Sequence, residues 1–155
     1  MTVRVGLGYD IHPFADDRPL VLGGVVIEGP GLAGHSDADA VAHAVADALL
    51  GPAGLPDLGT LFPASDDRFR GASSMDLLRE VMSRVTAEGW SVGNVDVVVN
   101  AEQPALAAHL PAMRTNLAAA LHGAHVSVTP KRGEGVGTVG RGEAIAVWAV
   151  ALLER

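Results

Sequence analysis

Asp10 and His12 stand two residues apart in a segment rich in Val, Leu and Tyr, and His43 follows further along the chain. On a strand, that spacing turns both side chains to the same face. If a helix carrying His43 packs across the strand, the three converge. Two imidazoles and one carboxylate, with a fourth position open, are the donor set of a catalytic divalent-metal site, zinc above all. The chain has no cysteine, so disulfides, thiolate metal sites and cysteine nucleophiles are excluded, and any metal must be held by His, Asp or Glu. The same spacing also fits a polar pair on an edge strand and a surface histidine on a helix.

A second cluster, His35-Ser36-Asp37-Ala38-Asp39, stands where a helix is expected to begin. Free N–H groups at a helix start favour anions such as phosphate. Ser36 reads as the N-cap with Asp39 as a capping-box-like partner; His35 is not needed for a cap. Asp39 and Asp47 lie four residues either side of His43, so either could orient its ring; Asp47 reads equally as a solvated helix acid. A third feature is the glycine-rich stretch Gly133 to Glu143, with Lys131, Arg132 and Arg141 nearby. Its backbone could approach a phosphate closely. It has neither the Walker pattern nor a dinucleotide fingerprint, and no Gly-x-Ser-x-Gly elbow occurs anywhere. His109, His122 and His125 read as surface or capping residues, and Ser73 and Ser74 as a helix start.

The elements that must position these groups follow from periodicity. Val3 to Ile11 alternates as a strand. Leu20-Val21-Leu22, Gly23-Gly24 and Val25-Val26-Ile27 form a hairpin, closed by the loop Gly29-Pro30-Gly31. Ser36 to Leu50 is predicted helical, stopped by Gly51-Pro52. Gly54 to Arg70 reads as a long loop of the kind used for binding. Ser74 to Glu88 is an amphipathic helix with Met75, Leu78, Val81, Met82 and Val85 on one side. A strand over Val92 to Asn100, a helix from near Pro111 to before Gly123, a short strand over Val126 to Thr129 and a last strand over Ala144 to Leu153 complete the order. This predicts an α+β fold, one domain over residues 1–155, with helices packed on one face of a single mixed sheet.

The 155 residues suffice to bury a real core. Hydrophobic residues make up 48% and aromatics only 4%, so Ala, Val and Leu must fill that core. The formal net charge of −7 does not favour nucleic acid or an anionic membrane as main partner. A phosphorylated ligand stays compatible with it, because a metal or local cations overcome a distant negative field. No signal peptide is visible and no apolar run reaches membrane-spanning length, so the expected compartment is the cytoplasm.

The ordered motifs Gly8-Tyr9-Asp10-Ile11-His12, Leu22-Gly23-Gly24, Ala33-Gly34-His35-Ser36-Asp37-Ala38-Asp39 with His43, and Asp47-Ala48-Leu49-Leu50-Gly51 resemble the 2-C-methyl-D-erythritol 2,4-cyclodiphosphate synthase family. Leu58-Gly59, Leu61-Phe62-Pro63, Gly93-Asn94-Val95-Asp96 and Gly140-Arg141-Gly142-Glu143 extend the resemblance over nearly the whole chain. It implies a homotrimer with sites between adjacent subunits and a cytidine diphosphate substrate carrying methylerythritol phosphate. The substrate's 2-phosphate attacks the β-phosphorus, closing the cyclic diphosphate and expelling CMP, a step of non-mevalonate isoprenoid synthesis.

Residue by residue, the resemblance makes Asp10, His12 and His43 ligands of Zn²⁺ (or Mn²⁺). Glu134 would hold a second ion, Mg²⁺ or Mn²⁺, between the substrate phosphates. His35 and Ser36 lie near the methylerythritol phosphate, Asp57 and Gly59 near the methylerythritol unit, and Ala101, Pro104 and Leu106 on the cytidine wall. Arg141 falls near the trimer axis, where relatives can hold a phosphate-bearing isoprenoid. His35, Glu134 and Arg132 are the candidates for direct catalytic contact, with Lys131 as a substrate clamp.

The resemblance departs at Lys131-Arg132-Gly133, where relatives carry threonines, and at Ala64, where aspartate is common. Two cations could replace the hydroxyls as phosphate clamps, since charge-assisted bonds are the stronger ones. They could equally mark a changed substrate preference. A non-catalytic phospholigand-binding trimer and a small metallohydrolase are the two other readings of the same residues.

Overall fold

A computed structural model describes all of residues 1–155. One long strand dominates it. β1 (Val3–Leu22) pairs antiparallel with β5 (Ala144–Glu154) through its first half and with β2 (Val25–Leu32) through its second. β3 (Ser91–Asn100) runs antiparallel to β5 on its other side, and β4 (His125–Lys131) joins β3 in parallel. The five-stranded mixed sheet has the order β2-β1-β5-β3-β4. The hairpin turn sits where expected: Gly23 and Gly24 both have positive φ, the backbone a tight two-residue turn requires.

Helices α1 (Ala40–Ala53), α3 (Ser74–Ala87) and α4 (Leu110–Ala120) cover one face. The core between them and the sheet is mostly Ala, Val and Leu, with Trp90 its only large aromatic. Within α3 the side carrying Met75, Leu78, Val81, Met82 and Val85 is buried, as its periodicity requires. The opposite face of the sheet is uncovered in the single chain, exposing Val5, Leu7, Tyr9 and Ile11 of β1 beside Trp148 and Val150 of β5. The Tyr9 and Trp148 rings pair across the strands at 5.2 Å. No helix is long and apolar enough to cross a membrane.

Three local expectations are corrected. The first helix starts at Ala40, capped by Asp39 rather than Ser36. Ala38 has a left-handed backbone, which breaks the helix before that point. Gly51-Pro52 does not stop this helix: Pro52 lies inside its last turn and Gly54, at φ 79°, closes it, the left-handed C-terminal glycine that ends many helices. The long loop Gly54 to Arg70 is not structureless, since it holds the single turn α2 (Leu58–Leu61) and a 3₁₀ turn at Asp67–Phe69. The later glycine-rich stretch likewise contains one short turn, α5 (Gly137–Gly140).

Gly6 and Gly8 decide how closely α1 approaches β1. A Cβ on Gly8 would lie 1.8 Å from the Ala44 carbonyl oxygen, and one on Gly6 2.0 Å from that of Ala48. Only glycines let the helix backbone rest directly on the strand. Asp10 and His12 continue the same strand face, so the close approach brings His43 onto them.

Candidate active site

His12 Nε2 lies 2.8 Å from Asp10 Oδ2, His43 Nδ1 lies 3.2 Å from the same oxygen, and the two ring nitrogens are 3.4 Å apart. Ligand atoms around a tetrahedral ion with bonds of ~2.05 Å are separated by about 3.3 Å. The three atoms therefore form a ready face for such an ion, and they are the chain's one group of acid and histidine donors close enough to hold a metal. Burial alone would raise the Asp10 carboxyl, but hydrogen bonds and charge from His12 and His43 outweigh it and hold it below the ordinary range. Burial would likewise lower His12, and the Asp10 carboxylate reverses that and raises it.

Each ring is gripped from behind. His12 Nδ1 donates to the Ala33 carbonyl at 2.7 Å, which leaves Nε2 facing the cluster. His43 Nε2 meets the hydroxyls of Ser74 at 2.8 Å and Ser36 at 3.1 Å. Neither Asp39 nor Asp47 orients the His43 ring, contrary to the helical spacing. Asp39 is fully buried and accepts from the backbone N–H of Ala42, Gly23 and Gly24, tying the helix start to the hairpin turn. Asp47 accepts from the Leu58 N–H, and burial pushes its carboxyl up.

The cluster opens into a cavity of about 280 Å³ bordered by His35, Ser36, Leu58, Gly59, Phe62 and Phe69. His35 Nε2 approaches the Asp66 carbonyl oxygen at 3.0 Å. Asp57 caps α2 and binds the Thr60 hydroxyl, so its carboxylate is committed to the short turn that carries Gly59.

Two residues were not legible as part of the site. Ser74 read as a helix start, yet Ser73 is the cap and Ser74 is buried against His43. Arg18 donates to the Gly34 carbonyl at 2.5 Å and to that of Ser36, strapping the turn that presents His35. An arginine after Asp16-Asp17 gives no sign of that in the sequence.

The remaining candidates gather across the sheet at the ends of β3 and β4, level in register with Asp10 and His12 on β1. Ala101, Pro104, Leu106, Lys131, Arg132 and Glu134 border a cavity of about 420 Å³. β3 and β4 end side by side there, with Asn100 opposite Lys131 in register and the Ala101 N–H donating to the Lys131 carbonyl. Arg132 pairs with Glu102 at 3.1 Å. The other Glu102 oxygen, and Asn100 Oδ1, are buried without a protein partner. Glu134 is exposed, with a left-handed backbone at φ 53°. Arg141 pairs instead with Glu143 at 2.7 Å on the surface. This cavity shares no bordering residue with the metal-side cavity of the same chain.

Comparison with known proteins agrees with the fold. Residues 3–154 match the YgbB family. The 2-C-methyl-D-erythritol 2,4-cyclodiphosphate synthase of Rubrobacter xylanophilus is 56% identical, with 98% of this chain and 95% of that protein covered. The "Bifunctional enzyme IspD/IspF" of an Anaeromyxobacter species is 55% identical over 99% of this chain, which spans only 40% of that longer protein. Among solved structures, a cyclodiphosphate synthase described as a CDP-bound form superposes with a TM-score of 0.88 at 37% identity, covering 97% of this chain and all of that one. The bifunctional IspDF of Campylobacter jejuni gives 0.93 at 39% identity, covering 98% of this chain and 42% of that one. With its full length matched, its sheet reproduced and its Asp-His-His cluster assembled, the chain belongs to the YgbB family.

Proposed function

We propose that this chain is a metal-dependent 2-C-methyl-D-erythritol 2,4-cyclodiphosphate synthase, a phosphorus–oxygen lyase of non-mevalonate isoprenoid synthesis. It takes 4-diphosphocytidyl-2-C-methyl-D-erythritol 2-phosphate. An oxygen of the 2-phosphate attacks the β-phosphorus, the bond from that phosphorus to the CMP oxygen breaks, and the cyclic diphosphate and CMP leave. The observation that carries the reading is the Asp10–His12–His43 cluster, whose ligand atoms stand 2.8 to 3.4 Å apart at the mouth of a cavity, in a chain whose relatives bear this enzyme's name over their full length.

A Zn²⁺ or Mn²⁺ ion held there would polarise the phosphorus under attack, as a Lewis acid does. The protein's own contribution is positioning and charge. No side-chain nucleophile is required, because the substrate supplies its own phosphate. His35 and Ser36 face the methylerythritol phosphate, and Asp57 and Gly59 the methylerythritol unit. Ala101, Pro104 and Leu106 line the cytidine. Lys131 and Arg132 clamp the diphosphate, and Glu134 would hold a second ion, Mg²⁺ or Mn²⁺, that neutralises phosphate charge.

The two cavities lie on separate parts of one chain, so a complete site needs two chains side by side. The uncovered apolar face of β1 and β5 supports a homotrimer in which the metal side of one subunit meets the nucleotide side of the next, with Arg141 near its axis. A highly charged nucleotide substrate, which does not cross membranes unaided, supports a cytoplasmic setting.

The deciding experiment incubates the purified protein with the cytidylyl substrate, Zn²⁺ and Mg²⁺ and follows the products by phosphorus NMR. Cyclic diphosphate with stoichiometric CMP is expected. Linear hydrolysis products, or CDP binding without turnover, would overturn the proposal.

A further inference from the structure

Ser74 is a buried hydroxyl that its helix does not need. It is 1% exposed, and the N-cap of α3 is its neighbour Ser73. Its Oγ meets three groups: Asp37 Oδ1, His43 Nε2 at 2.8 Å and Ser36 Oγ at 3.1 Å. A hydroxyl has one proton to give, and a carboxylate can only accept. The Ser74 proton therefore goes to Asp37. Ser74 Oγ must then accept from His43, which requires the proton on Nε2 and makes Nδ1, the nitrogen 3.2 Å from Asp10 Oδ2, the one a metal can take in place of a proton. Without Asp37, the hydroxyl could turn to donate to Nε2. That would place the ring proton on Nδ1, at the ligand position itself.

Asp37 is fixed for this task. Its second oxygen accepts from the Ser74 N–H at 3.2 Å, and Oδ1 also accepts from the Asp39 N–H at 3.1 Å. Ser36 Oγ accepts from the Ala38 N–H at 3.2 Å, so its proton is free to complete the set at Ser74. His12 reaches the same end by a shorter route, through the Ala33 carbonyl. The two ligand histidines are thus oriented by different devices, and only that of His43 reaches across to a third helix.

We propose that Asp37 and Ser74 are positioning residues that lock His43 in its Nε2–H tautomer and so set the affinity of the Asp10–His12–His43 site for its divalent metal. The proposal rests on the metal reading above but not on the identity of the substrate. Loss of such an outer partner typically weakens metal binding by roughly 10–100-fold.

The test measures zinc affinity by chelator competition for the full chain, Ser74→Ala and Asp37→Asn, and records the visible spectrum of each with Co²⁺. It also assigns the His43 tautomer in the metal-free wild type by long-range ¹H–¹⁵N NMR. An Nε2–H tautomer, zinc affinity weakened by about 10-fold or more in both variants, and a changed cobalt spectrum are expected. Asp37→Asn keeps the shape of the side chain, so it serves where Ser74→Ala fails to fold. A His43 Nε2 without a proton in the wild type, or wild-type affinity in a folded variant, overturns the relay. A wild type that binds no zinc overturns the metal reading instead, and the tautomer still decides the relay. A wild type that binds zinc yet forms no cyclic diphosphate overturns the proposed reaction alone.

Discussion

The metal side of the sheet, on β1, and the nucleotide side, on β3 and β4, are built on opposite plans. On the metal side, Asp10, His12, Ser36, His43 and Ser74 are half-buried or buried, both rings are held from behind, and all five come from β1, α1, the turn before it and α3 of one chain. On the nucleotide side, Lys131, Arg132 and Glu134 are exposed, the one ion pair is on the surface, and two oxygens lie buried without protein partners. The first is preorganised and self-sufficient. The second is open in the single chain; on the proposed reading a ligand and a neighbouring subunit would complete it. An electrostatic contact is worth most where its geometry is fixed before the ligand arrives, so the two sides should respond differently to substitution.

The largest effect is expected on the preorganised side. His12→Ala should abolish zinc binding and lower turnover by about 10³-fold or more, since the loss of a Lewis acid removes several kcal/mol of transition-state stabilisation. Steady-state kinetics and zinc stoichiometry check it, and full activity would sink the metal-centred mechanism.

Next comes the junction between the two sides. Leu7→Asp puts a charge on the exposed apolar face. The variant is expected to run as a monomer in light scattering, to keep zinc, and to lose turnover by about 100-fold because the two sides no longer meet in register. A stable, active monomer would refute the shared site.

Gly8→Ala comes third. Its methyl would collide with the Ala44 carbonyl, costing about 1–3 kcal/mol in urea denaturation, with weaker zinc binding as the helix lifts. Arg132→Ala, on the open side, should raise KM for the cytidylyl substrate roughly 10-fold with kcat little changed, as expected for one charge-assisted bond.

The smallest effect is in pH. In the zinc-free protein His12 is raised above its ordinary 6.5, so its contribution to stability is present below that value and is lost as pH rises through the folded pKa. Asp10 is lowered below its ordinary 3.8, so its contribution is present above that value and is lost as pH falls through the folded pKa. The pair should stabilise most between those two ordinary values, and Asp10→Asn should flatten the fall of melting temperature on either side of that window. Zinc reverses the trend for His12, because binding requires the neutral ring; affinity should rise with pH above 6.5.

Much of this was legible in the chain. The alternation of Val3 to Ile11 in β1, the Gly23-Gly24 hairpin and the apolar side of α3 announce themselves, because each depends on local periodicity or a local backbone need, whereas the apolar run of β5 fits strand or helix. Asp10 and His12 were readable as a pair because the period of a strand is fixed. What was not legible depends on contacts between segments far apart in sequence. Helical spacing nominated Asp39 and Asp47 as partners of His43, but both carboxylates are spent on backbone N–H groups. The true partner, Ser74, comes from another helix, and only packing decides that. Arg18 was hidden for the same reason.

The two glycines of β1 have a further consequence. By letting α1 lie against the strand, they would make a metal bound at Asp10, His12 and His43 a clasp between the first strand and the first helix, two elements that lie apart once the chain unfolds. An unfolded chain keeps only the Asp10–His12 pair, a weak chelate, so the ion discriminates between the folded and unfolded states. At free zinc about 100-fold above its dissociation constant, that discrimination adds about 2.7 kcal/mol to stability. On the proposed reading the ion would serve the reaction and also help hold the fold together, and a chelator should lower the melting temperature of a protein whose substrate it never touches.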